Sequence, residues 1–572
     1  MNRNFQKWGL DLPSLKAGAG SARLAMFVRL IILHYHLRPG GIRRVVELAT
    51  PFLAREIKAI DTVVLATGEP ATGNWIEPFR RSLMPVSVRP FIEPAFKYLS
   101  EQKKTGAQVA ERIRNGLERL LAQATPENTI VWAHNLGVGR NLFFSREVAR
   151  ACADRGLKLI SHHHDWWFDN RWHRWAEMRR AGFGSLRAAA EAVFPTSQFM
   201  RHVTINQSDA APLKRRMGRR IAWLPNLVER EKAPATSRVR EAHKWLCQVV
   251  QARMREMKMK VVESTAPQTL RENRNATRSS AFPIWLVPSR FLRRKNIAEA
   301  LLLTRWLRPE AWLATTGGPS SADEAPYFKQ LDSAARRHGW PLCLGVLQGD
   351  ESRKPTVSEL LAASEAVLLT SIQEGFGLPY VEAAAMGRPL LARSLPNIAP
   401  DLHKFGFRFP QYYEEILIDP ELFDWKAEHA KQAELHRKWR QGLPQAVRKF
   451  AGHPILLLSG QPRPIPFSRL TFAAQLQVLQ HPAADSWKLC VPLNSFLGTW
   501  KKRSASARLQ NCRWPGEARR WLSGKAYARH FERVVSMSAN GSISGATVLA
   551  VQGEFIRERL RTENLYPLMW GT

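Results

Sequence analysis

The chain has 572 residues, 45% of them apolar, and a formal net charge of +36. That length exceeds one hydrophobic core and predicts about three or four structural units, while no window reaches the roughly 18 to 20 uncharged apolar residues that span a bilayer. Five scattered cysteines, Cys152, Cys247, Cys343, Cys490 and Cys512, show no CxxC spacing, which argues for a reducing, cytoplasmic compartment and against a zinc site. Lys and Arg are dispersed, and the densest cluster, LKRRMGRR (213–220), is short. The charge therefore reads as mostly solvated faces, which still draw anionic ligands toward a cleft.

In chain order, residues 1–20 form an N-terminal tail. Residues 21–228 alternate short apolar runs with amphipathic stretches, the rhythm of a doubly wound α/β domain. The predicted strands are LAMFVRLIIL (24–33), DTVVLA (61–66), TIVWA (129–133), LKLIS (157–161), EAVFPTS (191–197) and RIAWLP (220–225). The first contains Arg29 and leads into a glycine turn, so it is a strand and not a signal peptide. Residues 229–282 change to a polar amphipathic stretch followed by a segment poor in large apolar residues, which reads as a connector or insertion. A second Rossmann-like domain, 283–425, is marked by PIWLVPS (283–289), AWLATTGG (311–318), PLCLGVL (341–347), EAVLLTS (365–371) and RPLLA (388–392). Residues 426–572 are a mostly helical extension with strand-like pieces such as HPILLLS (453–459). The stretches 468–482 and 524–535 are amphipathic helices suited to cover the cleft or the first domain.

Open α/β sheets bind ligands at the carboxyl ends of their strands. In SIQEGFGLPYVEAAAMGRPLLA (371–392), Glu374 lies in the loop after a strand, and Glu382 in the first turn of a helix that Pro379 opens and Gly387 ends. Between them the N–H groups of Gly375, Phe376, Gly377 and Leu378 approach a helix N-terminus, which favours a phosphate. Two carboxylates around an anion cradle suit a nucleotide sugar. In VPSRFLRRKNIAEALLL (287–303), Asn296 and Glu299 have capping-box spacing, so a helix starts near Ile297. Arg290 and Lys295 precede it and can converge on phosphate oxygens, whereas Arg293 and Arg294 read as solvated. Gly40 and Gly41, between the first strand and its helix, allow a diphosphate close to bare backbone.

SHHHDWWFDNRWHRW (161–175) follows a first-domain strand. Adjacent loop histidines cannot all turn to one ion, and no separate HxxxH-type partner appears, so a metal site is not expected. Structural hydrogen bonds, and a polar sugar contact or a proton-handling role, are the readings of these histidines. Core packing and sugar stacking are those of Trp166, Trp167, Trp172 and Trp175. His134 and Asn135, after TIVWA, occupy a similar position.

These residues resemble the retaining glycosyltransferases of family 4, over roughly 30–50, 155–228 and 283–400. The resemblance implies a GT-B fold, two Rossmann-like domains facing a cleft. Glu374 and Glu382 match the family's E-x7-E signature, which implies that Glu374 contacts the donor sugar and Glu382 the ribose. Arg290 and Lys295 match its diphosphate-binding pair, and Gly40-Gly41 its glycine loop. His164 is the best match for the histidine near the reacting carbon, with His162 and His163 as alternatives. The implied reaction is transfer of a hexose from a nucleotide-diphosphate sugar to a hydroxyl acceptor, with retention and with no metal or other cofactor. A small soluble acceptor is preferred. A glycoside phosphorylase or other sugar-phosphate enzyme on the same fold is the alternative enzyme, and a non-catalytic basic protein binding nucleic acid or anionic membrane is the alternative class. The intact carboxylate pair argues against the latter, so nucleic acid is not an expected partner. Membrane contact through helix 42–55 is disfavoured by its mixed charge and Pro51. The long connector and the extension after 426 depart from the family pattern.

Overall fold

A computed structural model of the protein describes all residues except 1–27, 72–74, 104–105, 171, 231–232, 259–281, 320–321, 350–352, 538–542 and 571–572. The predicted tail of 1–20 lies outside the described residues, as does half of 229–282.

The first domain holds a seven-stranded parallel sheet in the order β3-β2-β1-β4-β5-β6-β7. Its strands are β1 (Val28–Leu33), β2 (Ile60–Thr67), β3 (Ser87–Ile92), β4 (Thr129–His134), β5 (Lys158–His163), β6 (Met200–Thr204) and β7 (Ile221–Trp223). The second holds a six-stranded parallel sheet, β10-β9-β8-β11-β12-β13. Its strands are β8 (Ile284–Val287), β9 (Trp312–Thr315), β10 (Leu342–Cys343), β11 (Ala366–Leu369), β12 (Leu390–Arg393) and β13 (Gln411–Tyr413). The central strands are continuous apolar runs because helices cover both faces. Leu30 and Ile32 of β1, for example, face a core distinct from that reached by Ile31 and Leu33. The GT-B arrangement expected from the motifs is therefore present.

Some elements differ from expectation. EAVFPTS is the end of a helix, Leu186–Val193, followed by a loop. Its apolar residues continue a helical stripe in which Ala189, Ala190, Ala192 and Val193 are buried, and Ser185 caps it. The strand lies later, at the more polar β6. HPILLLS forms a 3-10 helix, Ile455–Leu458, behind Pro454. Strand β3 escaped notice because it is a half-exposed edge containing Pro90.

The described part of 229–282 is a helix, Thr236–Glu256, whose Leu246, Val250 and Met254 pack with Leu360 and Leu361 in the second domain's core. The extension serves both domains. Val478, Leu479 and Leu497 join the second core. Tyr527, Phe531 and Val534 then cover β1 and β4 of the first domain, and Val548, Phe555 and Leu560 close its opposite face. Tyr566 and Leu568 return to the second core. Gly524 starts the helix Gly524–Ser536 directly against the Phe52 ring, where a Cβ would overlap it.

Candidate active site

In each sheet the strand order reverses between two neighbours, β1/β4 in the first and β8/β11 in the second. Ligand crevices in such sheets open outside the carboxyl ends of those pairs. A cavity of about 830 Å³ is lined by the segments that leave these four strands. The residues expected to bind the donor line it: Gly40, Gly41, His164, Arg290, Lys295, Glu374, Gly375, Phe376, Gly377, Leu378 and Glu382.

Glu374 leaves β11 and is 6% exposed. It is ion-paired to Lys295, lies 3.3 Å from Arg294 and accepts from the Ser371 hydroxyl at 2.6 Å. Burial pushes its carboxyl up, but Lys295, Arg294 and Ser371 outweigh that and hold it below the usual range. It is ionised, with its oxygens fixed. Arg294, expected to be solvated, instead bridges Glu374 and the Gln373 carbonyl. It points inward from the 3-10 turn Arg293–Lys295, and no capping box forms, because the Asn296 amide donates to Glu299. Arg293 does stay outside, donating to the Asp323 carbonyl. After Gly377, at φ 80°, the helix Leu378–Ala385 opens with Pro379. Glu382 is its fifth residue, so it sits in the second turn and not the first, half-buried on the cleft wall.

The two domains meet closely here. A Cβ on Gly40 would lie 3.7 Å from an Arg290 guanidinium nitrogen, so Arg290 spans the cleft to the N-terminus of the helix Gly41–Glu56. A Cβ on Gly375 would lie 2.8 Å from the His164 carbonyl and 3.0 Å from Ile205, an approach that only glycine allows. Asn206 donates to the Gly375 carbonyl at 3.0 Å. Asp401 of the second domain accepts from the Gln207 side chain at 2.7 Å and from its backbone N–H. Burial lifts the Asp401 carboxyl to about 7 despite those donors.

Of the three adjacent histidines, His164 is the one that lines the cleft. His162 accepts from the Trp132 indole N–H at 3.3 Å, and His163 pairs with His202 at 3.0 Å beneath the Trp166 ring. Asn135, held in the left-handed region at φ 58°, aims its side-chain oxygen at the N–H groups of His164 and Asp165, 2.8 and 3.0 Å away. His164 Nε2 shares a hydrogen bond with His134 Nδ1 at 3.1 Å. Burial lowers His164 to about 4, only partly offset by Asp165, so the ring is neutral at physiological pH.

His134, His162 and His164 bring ring nitrogens within 4.8 Å of one another, a grouping that adjacency in the loop did not reveal. Trp132 donates to His162 Nδ1, so the neutral ring carries its proton on Nε2. Within the trio His134 and His164 share a hydrogen bond, and the His162 ring packs against both. Trp166, Trp167, Trp172 and Trp175 are buried core residues.

The extension contributes a residue that sequence reasoning missed. Arg559 donates to Asp169 at 2.8 Å and to Asp209 at 3.1 Å. Asp169 accepts from the Trp166 N–H, and Asp209 from the Trp166 indole and from Asn206. One guanidinium thus ties the loop after His164 to Asp209, which in turn holds the Asn206 that reaches Gly375. Its signal in the sequence was slight: one of two arginines at the end of an otherwise ordinary helix.

Several known proteins are similar to this chain. The family described as Glycosyl transferases group 1 matches residues 271–431. Mannosylglucosyl-3-phosphoglycerate synthase of Petrotoga mobilis is 26% identical over 393 residues, 68% of this chain and 69% of that protein. Among solved structures, HepE of Anabaena with UDP and glucose aligns at 14% identity over 84% of this chain and 98% of its own, with a TM-score of 0.44. Sucrose-phosphate synthase of Thermosynechococcus elongatus aligns at 12% identity over 93% and 98%, with a TM-score of 0.45. The second domain, with Glu374, Glu382, Arg290 and Lys295 in one cleft, is a group 1 glycosyltransferase domain, and the protein is a glycosyltransferase.

Proposed function

We propose that the enzyme moves a hexosyl group from a nucleotide-diphosphate sugar to a hydroxyl acceptor, with retention at the anomeric carbon. The observation that carries this reading is the ionised, buried Glu374, fixed by Lys295, Arg294 and Ser371 and facing His164 across the cleft. In this reading Glu374 orients the sugar hydroxyls, and Glu382, on the next helix, takes the ribose. The diphosphate lies between Arg290 and the N-terminus at Gly40-Gly41, where backbone donors and the helix dipole favour negative charge. Charge grows on the leaving phosphate as the glycosidic bond breaks. Arg290 and Lys295 stabilise it, so no metal ion is needed. The acceptor hydroxyl attacks from the leaving-group face and passes its proton to the departing phosphate oxygen. His164, neutral and braced by His134, serves as a hydrogen-bonding contact to the sugar. The name of the Petrotoga relative, which contains two hexosyl units, supports a hexose as the transferred group.

The test is nucleoside diphosphate release from UDP-, GDP- and ADP-hexoses, with the anomeric configuration of the product read by NMR. Glu374→Gln should keep the side-chain shape but lower kcat by about 10²- to 10³-fold, the usual size of a lost electrostatic contact in a dry site. Turnover that needs inorganic phosphate and ignores nucleotides would replace this reading with a phosphorylase. An unchanged Glu374→Gln variant would remove Glu374 from the site.

A further inference from the structure

The C-terminal extension builds a basic face outside the cleft, and we propose that this face docks the enzyme on an anionic membrane surface. Between residues 501 and 533 the chain has ten Lys and Arg but two carboxylates, Glu517 and Glu532. The local folding explains how this charge is displayed. In the helix Gly524–Ser536, Ala526, Tyr527, Phe531 and Val534 are buried against the first domain. Lys525, Arg529 and Arg533, spaced four apart, therefore form an outward stripe, and all three are exposed. Arg519 and Arg520 are exposed on the preceding helix, Gly516–Leu522.

Lys404 of the second domain joins them, its ammonium 4.9 Å from the Trp521 ring centre. His530 ties the two helices together: its ring lies 5.5 Å from Trp521, and burial with Arg533 and Arg529 holds it to about 4. Among the described residues, Arg520 is the one of these six cations with a carboxylate within 4.0 Å, Glu517 at 3.7 Å. A surface this poorly compensated attracts polyanions.

Lipid fits better than nucleic acid. Trp521 is half-buried among Lys404, Trp223 and His530, so it offers no open ring for base stacking. The cations stand on the outer faces of successive helices and ask only for diffuse negative charge, which a headgroup layer supplies. No helix among the described residues is long and apolar enough to cross a membrane, so this contact is peripheral. The basic stripe is distinct from the helix 42–55 that the sequence had disfavoured for this role.

The test uses the full chain and sedimentation with vesicles of phosphatidylcholine, with or without about 30% phosphatidylglycerol, since each surface cation strengthens such binding about fivefold. Binding to the anionic vesicles, its absence on neutral ones and its loss in 1 M salt are expected. The variant R519E/R520E/K525E/R529E should lose more than about a hundredfold in affinity while its nucleotide-sugar hydrolysis and melting temperature stay near those of the parent. The milder R529Q/R533Q pair, which keeps helix-forming side chains, should lose an intermediate amount. Equal binding to neutral vesicles, or unchanged binding by both variants, would overturn the proposal. So would tighter binding to a single-stranded RNA oligomer than to anionic vesicles.

Discussion

Replacing Arg559 with methionine is the sharpest test of how the extension supports the site. The guanidinium is buried against two carboxylates, Asp169 and Asp209, and methionine preserves most of its volume while removing its charge and donors. Removing one partner of a buried ion pair costs about 3 to 5 kcal/mol, because the remaining charge is left uncompensated. Here two carboxylates are left, which places the expected loss at the upper end of that range at neutral pH. The pH dependence fixes the mechanism. Burial already raises the Asp169 carboxyl, and Arg559 is the main opposing influence. Without it, the Asp169 carboxyl is raised further above its unfolded value, so the folded state binds more protons. Stability then falls as pH rises through the folded value. The deficit of Arg559→Met should therefore shrink as the pH is lowered below neutrality. Urea denaturation followed by tryptophan fluorescence at several pH values measures it. A deficit under about 1 kcal/mol, or one independent of pH, would refute the argument.

Three further results are expected. Gly375→Ala places a methyl 2.8 Å from the His164 carbonyl, so the domains must separate there; turnover should fall at least about tenfold while chemical stability drops by roughly 1 to 3 kcal/mol, as for other overpacked sites. Asp401 has a folded pKa of about 7 against 3.8, so it contributes stability at acid pH that is lost as pH rises through about 7. Asp401→Asn, which still accepts from Gln207, should flatten the stability profile across that interval, and an unchanged slope would contradict it. Lys295→Met should cost about 3 to 5 kcal/mol together with activity, because it leaves the buried Glu374 charge without its closest partner.

The parts of this protein legible from sequence were those encoded locally. The E-x7-E spacing, Pro379 and the glycines sit within one strand-loop-helix unit, so their pattern is readable without distant contacts. The central strands were legible because burial on both faces leaves unbroken apolar runs. What stayed hidden was set by tertiary partners. Arg293 and Arg294 are adjacent and alike, yet the 3-10 turn Arg293–Lys295 sends one to Glu374 and leaves the other outside. His162, His163 and His164 were separable only once strand alternation and His134 on the neighbouring strand gave each its own partner. The helix Leu186–Val193 read as a strand because a short apolar run carries no period of its own.

The way residues 524–560 close both faces of the first domain also bears on how the protein is made. The sheet of that domain is complete by residue 223, but Phe531, Val534, Val548 and Phe555 of its cores come from the end of the chain. At about 5 to 20 residues per second, the ribosome needs roughly 20 to 70 s to supply them. During that interval the nascent first domain presents an uncovered apolar surface, and the second domain emerges beside it. Chaperone demand should therefore fall on the synthesis of the second half of the chain, and truncation before residue 524 should yield aggregating protein rather than an isolated N-terminal domain.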